Sequence, residues 1–294
     1  LARDPRVRTL KLHEMLFPAT SAQRVLGGLV GLDGLLGGPI GRWFAHAQER
    51  KLGPMDPIHR IRLDEVEEDE FVLWTVYASA MCVNDSPIST GDSRLDEVRD
   101  FHAWAPAEQD RVLAWYRACI TKKAHREPAA DGALPLAVSK NPAFSQKIPQ
   151  LLRTFPDALF VYLVRNPLET IPSRLSLVRE IWRQRFPGFV DLRAEQVETL
   201  LADSVNTYLR AERDLPDVPA DRKLVLTYDA FVAAPGRAVG GIYRHFDLPG
   251  PPPELEEGTR GAHAAGHQYS LAEFGLTEDR IRIALAPVFE RYGF

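Results

Sequence analysis

The chain has 294 residues, of which 45% are hydrophobic and 26% charged, and its formal charge is −4. A chain of that length buries roughly 75% of the surface it would expose unfolded, so disorder, collagen-like repetition and a small disulfide scaffold are excluded. The slight acidity also argues against a nucleic-acid binder, which usually carries a basic domain.

Residues 1–60 pair a short strand-like piece, Val7 to Leu12, with a glycine-rich stretch in which Gly28, Gly31, Gly34 and Gly37 recur every third residue. This stretch reads either as a surface loop or close-packed helix edge, or as an apolar lid over a pocket. The lid reading rests on Leu26, Leu29, Val30, Leu32, Leu35 and Leu36, which interleave the glycines. Val25 to Gly41 is also the one candidate membrane stretch. Asp33, Pro39 and seven glycines interrupt it, and it falls short of the roughly 20 apolar residues a spanning helix needs. A cytoplasmic protein with no transmembrane segment is expected.

Residues 61–127 read as helices. The acidic run Asp64 to Glu70 precedes a helix expected over Phe71 to Met81, where first-turn carboxylates meet the helix dipole. Pro106 opens a second helix, with Val112, Leu113, Trp115, Tyr116, Cys119 and Ile120 as its apolar stripe. The two cysteines, Cys82 and Cys119, read as small apolar helix residues; no CxxC motif joins them.

Residues 134–250 alternate between strands and helices. Strands are expected at Leu136 to Val138, Leu159 to Val164 and Leu224 to Leu226. The run at 159–164 is continuously apolar, as in a strand covered on both faces. Helices are expected at 144–155, after Asn166-Pro167, at 195–214 and from Pro235. This alternation predicts an α/β protein with a parallel sheet, and such sheets bind ligands beyond the carboxyl ends of their strands. In the tail, Thr277 caps a final helix that buries Ile281, Leu285, Val288, Phe289 and Tyr292.

Common catalytic signatures are absent: there is no GxSxG, HExxH, GxGxxG or GxxxxGK[ST]. His263 and His267 have a metal-ligand spacing, but their Gly and Ala surroundings favour a loop. The informative residue is Arg165, at the carboxyl end of an apolar strand and directly before a capped helix. Guanidinium donors, free helix N–H groups and the dipole together make an anion site there. Ser173, eight residues on, adds a hydroxyl. The plainer alternative is a surface ion pair beside an ordinary helix serine.

Several segments, in order, now carry a resemblance. They are Val138-Ser139-Lys140-Asn141-Pro142, Phe155-Pro156-Asp157-Ala158, Val164-Arg165-Asn166-Pro167 with Ser173, and Thr227-Tyr228-Asp229-Ala230-Phe231 with Pro235. Glu67 to Glu70, His267 to Leu271 and Phe274 to Thr277 add to them. Together they resemble the PAPS-dependent sulfotransferases, in a bacterial branch distantly related to the tyrosylprotein enzymes. The resemblance implies a single P-loop-like three-layer α/β/α domain over 1–294, with a central parallel sheet, additional helices and a helical substrate-side insertion around 20–130. It implies PAPS as donor, 3′-phosphoadenosine 5′-phosphate as product and no metal.

The resemblance assigns Arg165 and Ser173 to the 3′-phosphate and Tyr228 to the adenine, against core packing as the plainer role of that tyrosine. It places Glu14 where the family keeps its base, with His13 as the neighbouring alternative. Adjacent strand residues point to opposite faces, so only one of the two is expected to face a pocket. Lys140 would meet the sulfonate or a phosphate. Phe144 stands near where many relatives carry a histidine. Pro172 is expected to bend or shorten the helix that carries Ser173.

The acceptor is expected to be a small-molecule, lipid or glycosyl hydroxyl. Residues 25–44 with Trp43 and Phe44, and 175–190 with Trp182, Phe186 and Phe189, are expected to line its pocket. In the family an Arg-Ser-Gly-Thr-Thr loop precedes a segment like Leu1-Ala2-Arg3-Asp4-Pro5. The sequence starts at that point without Met, so a shortened record is expected; a non-catalytic relative lacking the loop is the alternative. A nucleotide kinase, the third reading, needs a Walker lysine and magnesium carboxylates that are not recognisable here.

Overall fold

The computed structural model describes residues 4–53, 56, 60–129, 135–255 and 270–294. Leu1 to Arg3, His263, His267 and the 267–269 part of the tail motif lie outside them. Strand β1 (Val7–Arg8) leads into helix α1 (Leu12–Leu16), and α2 (Thr20–Leu35) and α3 (Pro39–Leu52) follow. Three short helices come next: α4 (Glu70–Trp74), α5 (Met81–Asn84) and α6 (Asp96–Arg99). The long α7 (Pro106–Arg126) precedes β2 (Leu136–Ala137), α8 (Ile148–Thr154) and β3 (Phe160–Val164). Then come α9 (Pro167–Arg185), α10 (Ala194–Asp214), β4 (Lys223–Thr227), α11 (Tyr228–Ala233) and α12 (Pro235–His245). The chain closes with α13 (Glu278–Ala284) and α14 (Ala286–Tyr292).

The expected α/β class with parallel strands is observed. The strands form two parallel pairs among the described residues, β1 with β2 and β3 with β4. Val7 faces Leu136 in the first pair, and Val164 faces Thr227 at the carboxyl end of the second. Among the described residues, cover on both faces of β3 is not found. Val164 is buried, but Val161 and Leu163 are 40% and 41% exposed. Alternation sends these two to the opposite side from Tyr162 and Val164, which pack in the core.

Two main cores hold the fold. One gathers Met15, Leu73, Leu113, Tyr116 and Phe144 from α1, α4, α7 and the turn before α8. The other gathers Val164, Leu175, Leu200, Ile281 and Phe289 from β3, α9, α10, α13 and α14. Trp182 belongs to the fully buried interior and meets the Phe189 ring edge-on at 5.4 Å. It repeats the inward side of α9 after Ile171 and Leu175. It is therefore a packing residue, not part of an acceptor pocket lining.

Local expectations fare unevenly. Thr277 caps α13 through the Arg280 amide, and Pro106 opens α7, as expected. Within the α7 stripe Trp115 turns outward. The helix expected over 71–81 ends at Trp74. Tyr77 takes a left-handed φ of 57°, and the Ala78 amide donates back to the Leu73 carbonyl, a reversal that ends helices. The glycine-rich stretch is no loop: it forms α2 and the turn into α3. Pro172 lies inside α9, which nevertheless runs on to Arg185. No described helix is long and apolar enough to cross a membrane.

Candidate functional site

The β3–β4 register ends at Val164 and Thr227, so Arg165 and Tyr228 leave adjacent strand ends together. The Arg165 guanidinium carbon stands 4.7 Å from the centre of the Tyr228 ring. A flat, delocalised cation is favoured over the electron-rich ring face. Both residues open helices. The Asn166 side chain accepts from the Leu168 amide at 3.0 Å, with Pro167 as first helical residue. Thr227 does the same for Ala230. Two helix N-termini thus begin beside one arginine, and both favour negative charge there.

The Arg165 backbone is anchored from α10. The Tyr208 hydroxyl donates to the Arg165 carbonyl at 2.8 Å. Burial pushes that phenol up to about 12, so it stays a neutral donor. The guanidinium itself is engaged: Nε donates to Glu169 Oε2 at 3.0 Å. Ser173 is one further step of four along the same helix and is half-buried. Glu169 and Ser173 therefore share one face of the start of α9, and Arg165 precedes that helix. Beside Ser173, Arg174 crosses to α10 and binds Asp203 and Ser204.

A second cluster lies beyond the other strand pair. Ser139, Lys140 and Asn141 follow β2 and meet three successive carboxylates. Lys140 pairs with Glu68, Ser139 donates to Asp69 at 2.9 Å, and Asn141 donates to Glu70 at 2.9 Å. Asp69 also accepts from the Tyr116 hydroxyl. Burial raises the Asp69 carboxyl to about 6, against the lowering effect of those hydrogen bonds. Lys147 approaches Glu70 Oε1 only to 3.5 Å, and that oxygen has no hydrogen bond. Asp69 and Glu70 thus open α4 as expected, as N-cap and first-turn residue, but are buried and hold the segment after β2.

Glu14 is on α1, not on a strand, so the strand-alternation argument does not separate it from His13. Its Oε1 accepts from Lys123 Nζ at 2.8 Å, and its Oε2 accepts from the Lys11 amide at 2.9 Å. Glu14 borders a small cavity with Leu10, Cys119 and Lys122. His13 Nδ1 is 2.6 Å from the Leu63 carbonyl. Among the described residues no hydrogen bond or ion pair links Glu14 or Lys140 to Arg165, Ser173 or Tyr228. Trp43 and Phe44 are exposed and border neither described cavity; Val25 and Leu26 line an open groove with Phe17. No group of three or more potential metal ligands occurs among the described residues.

A model of the sulfotransferase family matches residues 42–252. The chain belongs to the sulfotransferase family. It is 25% identical over 215 residues to the omega-hydroxy-beta-dihydromenaquinone-9 sulfotransferase Stf3 of Mycobacterium bovis, covering 70% of this chain and 52% of that protein. The same figures hold for the Mycobacterium tuberculosis protein of that name. The chain therefore spans about half the length of the curated relatives it matches. Sulfotransferase STF9 from Mycobacterium avium shares the fold at a TM-score of 0.67 and 18% identity, over 99% of this chain and 72% of that one. Sulfotransferase STF1 from Mycobacterium tuberculosis does so at 0.59 and 20%, over 97% and 70%.

The sequence reading of this sulfotransferase-family chain missed Glu169, Lys123 and Lys147. Glu169 had a signal, an acidic residue four after Arg165. Lys123 had none, since 109 residues separate it from Glu14.

Proposed function

We propose that the chain transfers a sulfuryl group from PAPS to a hydroxyl on a small-molecule, lipid or glycosyl acceptor, with Arg165 as the principal grip on the nucleotide's 3′-phosphate. The observation carrying this is the Arg165–Tyr228 pair at adjacent strand ends in a sulfotransferase-family chain. The arrangement fits the donor chemically. A phosphate suits a guanidinium flanked by helix N-termini, and an adenine suits a half-exposed tyrosine ring. PAPS would supply the sulfuryl group.

Arg165 and the α9 N-terminus would hold the 3′-phosphate, and Ser173 would add a hydroxyl donor. Tyr228 would keep the guanidinium flat and offer its ring to the base. Lys140, exposed at the end of β2, would balance charge on the transferring group. Glu14 would take the acceptor's proton. An apolar hydroxylated acceptor is favoured, because a similar protein is named for an omega-hydroxy menaquinone.

Calorimetry with 3′-phosphoadenosine 5′-phosphate and with adenosine 5′-monophosphate tests the assignment. Arg165→Ala should weaken the first by about tenfold to a hundredfold, a charge-assisted phosphate contact, and leave the second almost unchanged. Equal losses would remove the 3′-phosphate role.

A further inference from the structure

The hairpin of α2 and α3 is built unlike the rest of the molecule. From Val25 to Gly41 the one charged side chain is Asp33. That carboxylate is buried inside the hairpin, where it accepts from the Ile40 and Gly41 amides at 2.8 and 2.7 Å. The turn at Gly37 and Gly38, both at positive φ, completes the reversal. The outside is therefore uncharged and apolar. Val30 is 72% exposed, Leu35 87%, Leu36 65% and Trp43 68%.

Successive residues of a helix step by about 100°, so Val25, Leu29, Leu32 and the C-cap Leu36 fall within about 60° of one another, with Leu35 beside them, and form one exposed apolar face. Gly27, Gly28, Gly31 and Gly34 fill the remaining side, and nothing lies within 4 Å of where their side chains would be. An exposed apolar face flanked by basic residues suits a lipid interface. A second copy would cover the leucines but add its own unopposed basic residues beside the first set.

The charge distribution selects the medium. Arg24, Arg42, Arg50 and Lys51 are exposed on the two helices. Glu49, the one other carboxylate on them, is bound to Arg62 at 2.7 Å. Exposed leucines and a tryptophan, flanked by unopposed basic residues, match an anionic lipid interface. We infer that the α2–α3 hairpin docks the protein on anionic lipid bilayers, its apolar turn among the acyl chains and its arginines among the headgroups. α2 lies before the stretch matched by the sulfotransferase family model, which starts at residue 42. The inference stands apart from the transfer reaction and is tested without it.

The test is co-sedimentation with vesicles of equal parts phosphatidylglycerol and phosphatidylcholine, and with phosphatidylcholine alone. Binding is expected to the anionic vesicles, to weaken with salt, and to fall by about tenfold or more in Leu35→Asn with Leu36→Asn. Both leucines are exposed, so the variant should keep the parent's circular dichroism and melting temperature. Brominated acyl chains should quench fluorescence in the parent more than in Trp43→Phe. Absence of vesicle binding would overturn the inference, as would binding that the double variant retains. Self-association without lipid, abolished by the double variant and unaccompanied by vesicle binding, would assign the hairpin to a second copy instead.

Discussion

Arg165 Nε, just before the N-cap of α9, donates to Glu169 Oε2 in the first turn of that helix at 3.0 Å. The bond occupies part of the guanidinium that the proposed function assigns to a phosphate. The two side chains are 38% and 51% exposed, so the pair itself contributes little to stability. Its effect is on ligand binding, because a phosphate arriving at Arg165 meets a carboxylate already there.

Glu169→Gln should therefore tighten 3′-phosphoadenosine 5′-phosphate by about two- to fivefold, in proportion to an exposed ion pair. Adenosine 5′-monophosphate binding should not change. Titration at about 50 and 300 mM salt checks the cause, since the gain should shrink as salt screens the carboxylate. Weaker binding in Glu169→Gln would show instead that Glu169 orients the guanidinium toward its ligand.

Arg165 and its surroundings were readable because each signal is local. The apolar run of β3, the Asn166-Pro167 cap and the Thr227 cap each lie within a few residues. The acidic run does open a helix, with Asp69 as its N-cap and Glu70 in its first turn, but the dipole argument uses only neighbours in sequence and gives no sign of burial. Asp69 is instead buried by partners 47 and 70 residues away, Tyr116 and Ser139, and no spacing announces them. The α2 stretch admits a loop, a helix edge or a lid on sequence alone, because each helical glycine costs about 1 kcal/mol relative to alanine and local pattern does not decide. The leucines between the glycines and the Asp33 contacts to α3 still accompany a helix.

Asp69 sets a pH dependence whose sign is fixed. Burial raises its carboxyl from 3.8 to about 6, so the folded state holds a proton that the unfolded chain releases. The contribution is complete below the unfolded value near 4 and is lost as pH rises through about 6. Asp69→Asn keeps a neutral, hydrogen-bonding side chain at every pH. It should remove this dependence and gain about 1–1.5 kcal/mol relative to the parent between pH 5 and pH 8, part of the roughly 3 kcal/mol that separates the two limits. Urea unfolding midpoints of both proteins across that range provide the measurement. A constant difference between them would show that Asp69 titrates normally in the fold.

Glu14 and Lys123 separate a chemical role from a structural one. Their side chains are 12% and 11% exposed and meet at 2.8 Å. Lys123 keeps a second partner, Glu127, at 2.7 Å, so Glu14→Gln should cost only about 1–2 kcal/mol. If Glu14 takes the acceptor's proton, that variant should lower turnover on the order of a hundredfold with nucleotide affinity unchanged. Lys123→Gln removes the ion-pair partner and leaves the carboxylate in place. It should retain most of the turnover that Glu14→Gln loses. Turnover of sulfated product from PAPS and a long-chain alcohol, measured beside urea unfolding midpoints, distinguishes the cases. Parallel losses of stability and turnover in both variants would leave Glu14 as a support for α1 and remove it as the base.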